Sequence, residues 1–151
     1  MVFFVPTIQG KLIPYKSINI RDLNEKGKGT LAEHLGMEVT AIGEDFLEMK
    51  MPVRSTNLQP FGILHGGAVA ALAENAGSLA SFLVVGPDKG SAGTSLTCNH
   101  LKSNRTGHVT ARAIPRHLGK SSHVWEIEIR NDEGQLTNLC VLTLAIIDIR
   151  K

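Results

Sequence analysis

From about His65 to Val85 the chain reads HGGAVAALAENAGSLASFLVV, and this stretch constrains the fold more than any other. Ala68, Ala70, Ala71, Leu72, Ala73, Ala76, Leu79, Ala80, Phe82 and Leu83 leave a helix there almost no solvated face. A helix that is apolar all round has to be enclosed. One sheet covers one side only, so either a sheet curls around the helix or a second copy of the chain covers the remainder, and both can hold. In the middle of the run stands a carboxylate, Glu74. A carboxylate in apolar surroundings costs several kcal/mol unless it is protonated, paired or in use.

The rest of the chain supplies the enclosure. Its 151 residues suit one compact domain. Residues 1–16 contain two prolines and a glycine without a sustained period and read as an N-terminal arm able to pack on a neighbour; residues 17–151 read as the domain. NIRDLNEKGKG, with Asn19 as N-cap, and TLAEHLG are short helices. MEVTAIG and DFLEMKMPV read as an antiparallel hairpin turning at Gly-Glu. After the long helix come four strand-like runs. SAGTSLTCNHLKS alternates in part, GHVTARAIPRHLG alternates Val109, Ala111 and Ala113, and SSHVWEIEIRN alternates Trp125, Ile127 and Ile129 against Val124, Glu126 and Glu128. The last run, LCVLTLAIIDI, follows the turn NDEGQ and is apolar enough for an interior strand. The order argues for an α+β domain with an antiparallel sheet.

Several function classes are disfavoured. With 16 basic and 14 acidic residues and no block of either sign, the chain lacks a broad nucleic-acid or membrane footprint, so any anion site is local. Cys98 and Cys140 are far apart and form no C-x-x-C pair, which fits a reduced, cytoplasmic protein with structural thiols. MVFFVP lacks the basic flank and cleavage site of a signal peptide. None of the six histidines has a tight metal-ligand spacing, and no cofactor or metal is expected. No G-x-S-x-G elbow is present.

The polar residues of the helix suggest chemistry. Ser78 lies four residues beyond Glu74, on the same face, so a water can be held between them. At the helix start, open N–H groups and the positive dipole end favour an oxygen acquiring negative charge, and Gly66 and Gly67 let a ligand approach that backbone. Yet Gly67 and Glu74 are roughly 10 Å apart along the axis, and His65 and Glu74 lie on opposite faces. Both can serve one carbonyl only if two antiparallel copies of the helix face each other across a symmetric dimer. Gln59 reads equally as an amide donor to a substrate carbonyl or as a loop brace, and His100 as a substrate contact or a satisfied strand histidine. In PRHLGKSSH, Arg116, His117 and Lys120 surround Gly119 with serine hydroxyls behind, a turn suited either to phosphates or simply to solvent; Lys102, Ser103 and Arg105 read as a second wall of the same anion site. Phe61 and Phe82 read as acyl-pocket walls or as core.

These residues together carry a resemblance. LNEKGKGT, MPV, QPFGILHGGAVAALAENAGSLA, NHLKS and HLGKSSHVWEIEI follow the order found in hotdog-fold acyl-CoA thioesterases, and the chain resembles the branch of hydroxybenzoyl-CoA and dihydroxynaphthoyl-CoA thioesterases over about residues 17–149. The resemblance implies an antiparallel sheet wrapped around one long helix and dimers, commonly paired into homotetramers, with active sites between subunits. It implies Glu74 as nucleophile or general base, with Ser78 placing the water. Gly66 N–H of the partner would be the oxyanion donor, Gln59 would polarise the thioester and His65 would shape that end. Coenzyme A, as part of the substrate, would lie against Gly93, against His100, Leu101, Lys102 and Ser103, and against the turn formed by His117, Leu118, Gly119, Lys120, Ser121 and Ser122. Glu rather than Asp at position 74 favours an aroyl over a phenylacetyl substrate. Lys102 stands where an arginine is common, which keeps the charge and loses a bidentate fork. Two alternatives remain open: a hotdog hydratase or dehydratase, and a non-catalytic acyl-CoA-binding module.

Overall fold

The N-cap foreseen at Asn19 is present, and a second helix is capped at both ends. In the computed structural model, which describes residues 13 to 149, Asn19 Oδ1 accepts the Arg21 N–H at 3.0 Å and opens α1 (Ile20–Lys26). The Thr30 hydroxyl accepts from Ala32 N–H and opens α2 (Leu31–Leu35), which Gly36 closes with φ of 69°, a conformation that L side chains rarely adopt. The Asn24 side chain then clamps α1 to the first strand, exchanging two hydrogen bonds with the backbone of Val39. Most of the expected arm lies outside the described residues; its end returns to the domain, where Ile13 is buried and its N–H donates to Glu44 O at 3.0 Å.

The strands are β1 (Glu38–Ile42), β2 (Leu47–Pro52), β3 (Lys89–His100), β4 (His108–Leu118), β5 (Ser122–Asn131) and β6 (Leu136–Asp148). They form one antiparallel sheet in the order β1-β2-β4-β5-β6-β3. Three boundaries differ from expectation, the first being β3, which runs Lys89–His100 where the sequence suggested 91–103. The β1–β2 turn spans residues 43–46 instead of Gly-Glu alone, because Gly43 N–H bonds to Phe46 O at 2.9 Å and the Phe46 ring occupies the space a side chain on Gly43 would need. Strand β6 begins at Leu136, three residues before the apolar run, so Thr137 and Asn138 lie inside it and are buried.

The long helix, α3 (Gly66–Val85), lies on the sheet with Leu72, Ala73, Ala76, Gly77 and Ala80 buried. Beneath them the alternating residues Val109, Ala111 and Ala113 of β4 and Trp125, Ile127 and Ile129 of β5 are sealed from solvent. A methyl group on Gly77 would come within 2.7 Å of the Leu142 side chain, so this glycine sets how closely helix and β6 approach. Ser81 and His123, both 0% exposed, pin the far half of α3 to β5 through an Oγ···Nδ1 hydrogen bond of 2.8 Å.

The sheet encloses one side of α3 only. Phe82 is 46% exposed and Phe61 81% exposed, which excludes the core reading for both: Phe82 is on the helix face turned from the sheet, and Phe61 on the loop before α3. The edge strand β3 is also open, with Ala92 to Ser95, Thr97, Asn99 and His100 exposed. Cys98 lies opposite Cys140 across β3 and β6, both as free thiols, and burial, followed by the hydrogen bond with Cys98, pushes the Cys140 thiol well above its ordinary range.

Candidate active site

At the start of α3 the backbone donors are used up except one. His65 is the N-cap, and its Nδ1 accepts the Gly67 N–H at 2.8 Å; Ala68 and Val69 N–H both go to His65 O. Gly66 N–H has no acceptor among the described residues. His65 therefore shapes the helix entry by consuming the neighbouring donor, and the dipole end presents a single open N–H. That N–H borders a cavity of about 430 Å³ lined by Gln59, Gly66, His100, Leu101, Lys102, Ser103 and Asn138, among others. His100 comes from β3, and a methyl group on Gly66 would lie 3.1 Å from His100 Nε2, so glycine is what lets the imidazole sit over the helix start. The loop carrying Gln59 is held by Gln59 N–H to Ile63 O at 2.8 Å and Leu64 N–H to Asn104 O at 2.7 Å.

Glu74 stands elsewhere. It borders a separate cavity of about 330 Å³ with Ser78, Ala71 and Asn75 of α3 and Leu31 and Met37 beyond; none of its lining residues borders the Gly66 cavity. The shared face read for Glu74 and Ser78 is present. The carboxylate leans on β3, where a methyl group on Gly93 would meet Glu74 Oε1 at 2.8 Å. The ladder shifts register between Gly93 and Ser95, and such bulges frequently flank functional sites. Gly93, expected beside coenzyme A, is in the single chain the seat of the carboxylate.

The two basic walls are not one site within a chain. Lys102 is held at the Leu136 end of β6, with its N–H on Thr137 O and its ammonium donating to Gln135 Oε1 at 2.5 Å. The hairpin tip carrying Leu118 to Ser122 is at the other end, since Ser122 pairs with Ala145. Nine strand residues separate Leu136 from Ala145, roughly 30 Å. At that tip His117 folds over Gly119, Gly119 N–H bonds to Ser122 O at 2.9 Å, and Lys120 and Ser121 are exposed. Arg116 is committed to Glu126, and Arg105 donates to the carbonyls of Phe61 and Gly62, so neither stands open as the sequence suggested. Phe61 and Phe82 line none of the cavities described for the chain. Asn138 escaped the sequence reading; the signal was a Thr-Asn pair at the mouth of an apolar strand.

An antiparallel sheet wrapped on one helix, with an open N–H at the helix start and a carboxylate in its third turn, defines the hotdog class of thioester hydrolases. Residues 61–138 match the Thioesterase superfamily, and the chain belongs to that family. It is 40% identical to the 1,4-dihydroxy-2-naphthoyl-CoA hydrolase of Escherichia coli over 87% of this chain and 97% of that protein. It is also 40% identical to the proofreading thioesterase EntH of Cronobacter turicensis, over 87% of this chain and 96% of the relative. Among solved structures, thioesterase HI1161 of Haemophilus influenzae superposes with a TM-score of 0.88 at 42% identity, covering 91% of this chain and 96% of that one.

Proposed function

We propose that the protein hydrolyses an acyl-CoA thioester carrying an aroyl or medium-length acyl group, at sites shared by two chains. The observation that carries this is the separation of the open Gly66 N–H from Glu74 into different cavities of one chain. Gly66 and Glu74 are eight residues apart, about 12 Å of helix. An oxyanion donor and the group that attacks the same carbonyl must both lie near 3 Å from the reacting atoms. A symmetric dimer brings them together. Pairing two copies of the open β3 edge antiparallel about Leu96 and Thr97 sets Gly93 of one chain opposite His100 of the other, and with them Glu74 opposite Gly66. The same operation brings the Lys102–Ser103 wall of one chain toward elements of its partner, so the phosphates of coenzyme A are held by segments that a single chain keeps apart.

In this site Gly66 N–H and the Gln59 amide polarise the thioester carbonyl. Glu74 of the other chain attacks it to form a mixed anhydride, or takes a proton from a water held with Ser78; both routes release the thiol and leave the free acid. The acyl group has room beside the carboxylate. A cavity of about 520 Å³ under α1 and α2 shares Thr30, Ala32, Met37 and Asn75 with that of Glu74. The relative named as a 1,4-dihydroxy-2-naphthoyl-CoA hydrolase supports an aroyl group, and the pairing of dimers into a homotetramer accompanies this reading. Thiol release on benzoyl-, phenylacetyl- and straight-chain acyl-CoAs tests it: aroyl-CoA is expected to have the highest kcat/KM, and Glu74→Gln to lower kcat by about a thousandfold or more without loss of the oligomer. Unaltered turnover by that variant would remove Glu74 from the reaction.

A further inference from the structure

Asn138 is 2% exposed and stands opposite His100 in the β3–β6 ladder, at the edge of the Gly66 cavity. Its Nδ2 lies 2.8 Å from His100 Nδ1. An amide nitrogen only donates, so Nδ1 is the acceptor and the proton of the neutral ring is on Nε2. The amide is itself oriented. The Thr137 hydroxyl, buried at 0% exposure, donates to Asn138 Oδ1 at 2.9 Å, with Ile129 O a second acceptor at 3.2 Å. The reversed amide would require the hydroxyl to give up the 2.9 Å bond to Oδ1 and donate only to Ile129 O at 3.2 Å. The protonated Nε2 faces the helix start, 3.1 Å from where a side chain on Gly66 would begin.

We propose that Asn138, oriented by Thr137, is a positioning residue that fixes His100 as an Nε2–H donor, adding a third donor to Gly66 N–H and Gln59 at the carbonyl oxygen of the substrate. This assigns His100 to the reacting carbonyl rather than to coenzyme A. It rests on the thioester reading for what occupies the cavity, but the state of the ring can be measured without substrate. A buried polar pair at the mouth of a strand is costly unless satisfied, and here each member is satisfied in a direction that ends on the imidazole.

Long-range proton–nitrogen correlation spectra of histidine-labelled protein, with His100 assigned through His100→Gln, read the tautomer directly. The wild type is expected to carry its proton on Nε2. In Asn138→Asp, examined at alkaline pH where the ring is neutral, the carboxylate can only accept, so the proton moves to Nδ1. With it kcat falls about tenfold to a hundredfold while KM changes little. Thr137→Val, matched in volume, is the second variant should the aspartate impair folding; it is expected to give mixed tautomers and a smaller fall in kcat. In a His100→Gln background Asn138→Asp should cost nothing further. A wild-type proton on Nδ1, an unmoved tautomer in Asn138→Asp, or losses that add in the double variant would overturn the assignment. A protein that shows the expected tautomers yet hydrolyses no thioester would refute the thioester reading and leave the positioning intact.

Discussion

The first and third turns of α3 present opposite chemistry. At the first, the cavity holds the open Gly66 N–H beside Gln59 and His100, which are proposed to donate with it. At the third, a carboxylate that can only accept, Glu74, shares its cavity with Ser78, against a strand made thin by Gly93. The loop and strand at the helix start are tied by hydrogen bonds through Asn138 and Asn104; the Glu74 carboxylate is exposed and has no hydrogen-bond partner among the described residues. In the proposed reaction such a helix holds one half at each position, and the two halves would meet only when a second helix lies against the first.

The strongest way to break this comparison is complementation. A chain with Glu74→Gln and one with both Gln59→Ala and Gly66→Ala are each expected to be nearly inactive. Refolded together in equal amounts, half of the dimers are hybrids, and each hybrid keeps one intact site of two, so activity returns to roughly a quarter of wild type. No recovery in dimers shown to be mixed would place donors and acceptor in the same chain. Gly66→Ala alone is next: its methyl pushes against the His100 ring, and kcat should fall about a hundredfold at most while Tm changes little. Gly93→Ala tests the other half and should be milder, about tenfold in kcat, because a side-chain carboxylate gives way more easily than a backbone donor.

The smallest effect lies outside both halves. The backbone N–H of His108, then the His108 ring and Lys50, hold the Asp132 carboxyl below its ordinary value of 3.8. A carboxyl depressed in the folded state contributes stability above its unfolded pKa, and that contribution is lost as pH falls through the two values. Asp132→Asn should therefore flatten the acid limb of Tm against pH below about pH 4 and leave kcat unchanged. A change in turnover would mean that this corner reaches the site.

Much of this was legible in the sequence because it depends on local chemistry. The cap Asn19, the period-2 run through Trp125, Ile127 and Ile129, and the shared face of Glu74 and Ser78 follow from spacing alone. The separation of Gly66 from Glu74 was equally readable, since helix rise is fixed. What escaped depends on which strands become neighbours. Only the order β5-β6-β3 puts Asn138 beside His100, seats Glu74 on Gly93 and sends the 118–122 tip away from Lys102. That Phe61 and Phe82 are not core escaped because hydrophobicity alone cannot distinguish a core wall from a surface left open.

The Ser81–His123 pair has a consequence for how such an enzyme is found. A serine and a histidine at hydrogen-bond distance are the pair that fluorophosphonate reagents seek in hydrolases, but here both are sealed beneath α3 and serve to fasten it. The group proposed to act on substrate is a carboxylate, which those reagents do not mark. Chemical profiling of a cell extract by serine labelling would pass over this hydrolase, and its activity would register instead as free thiol released from a thioester.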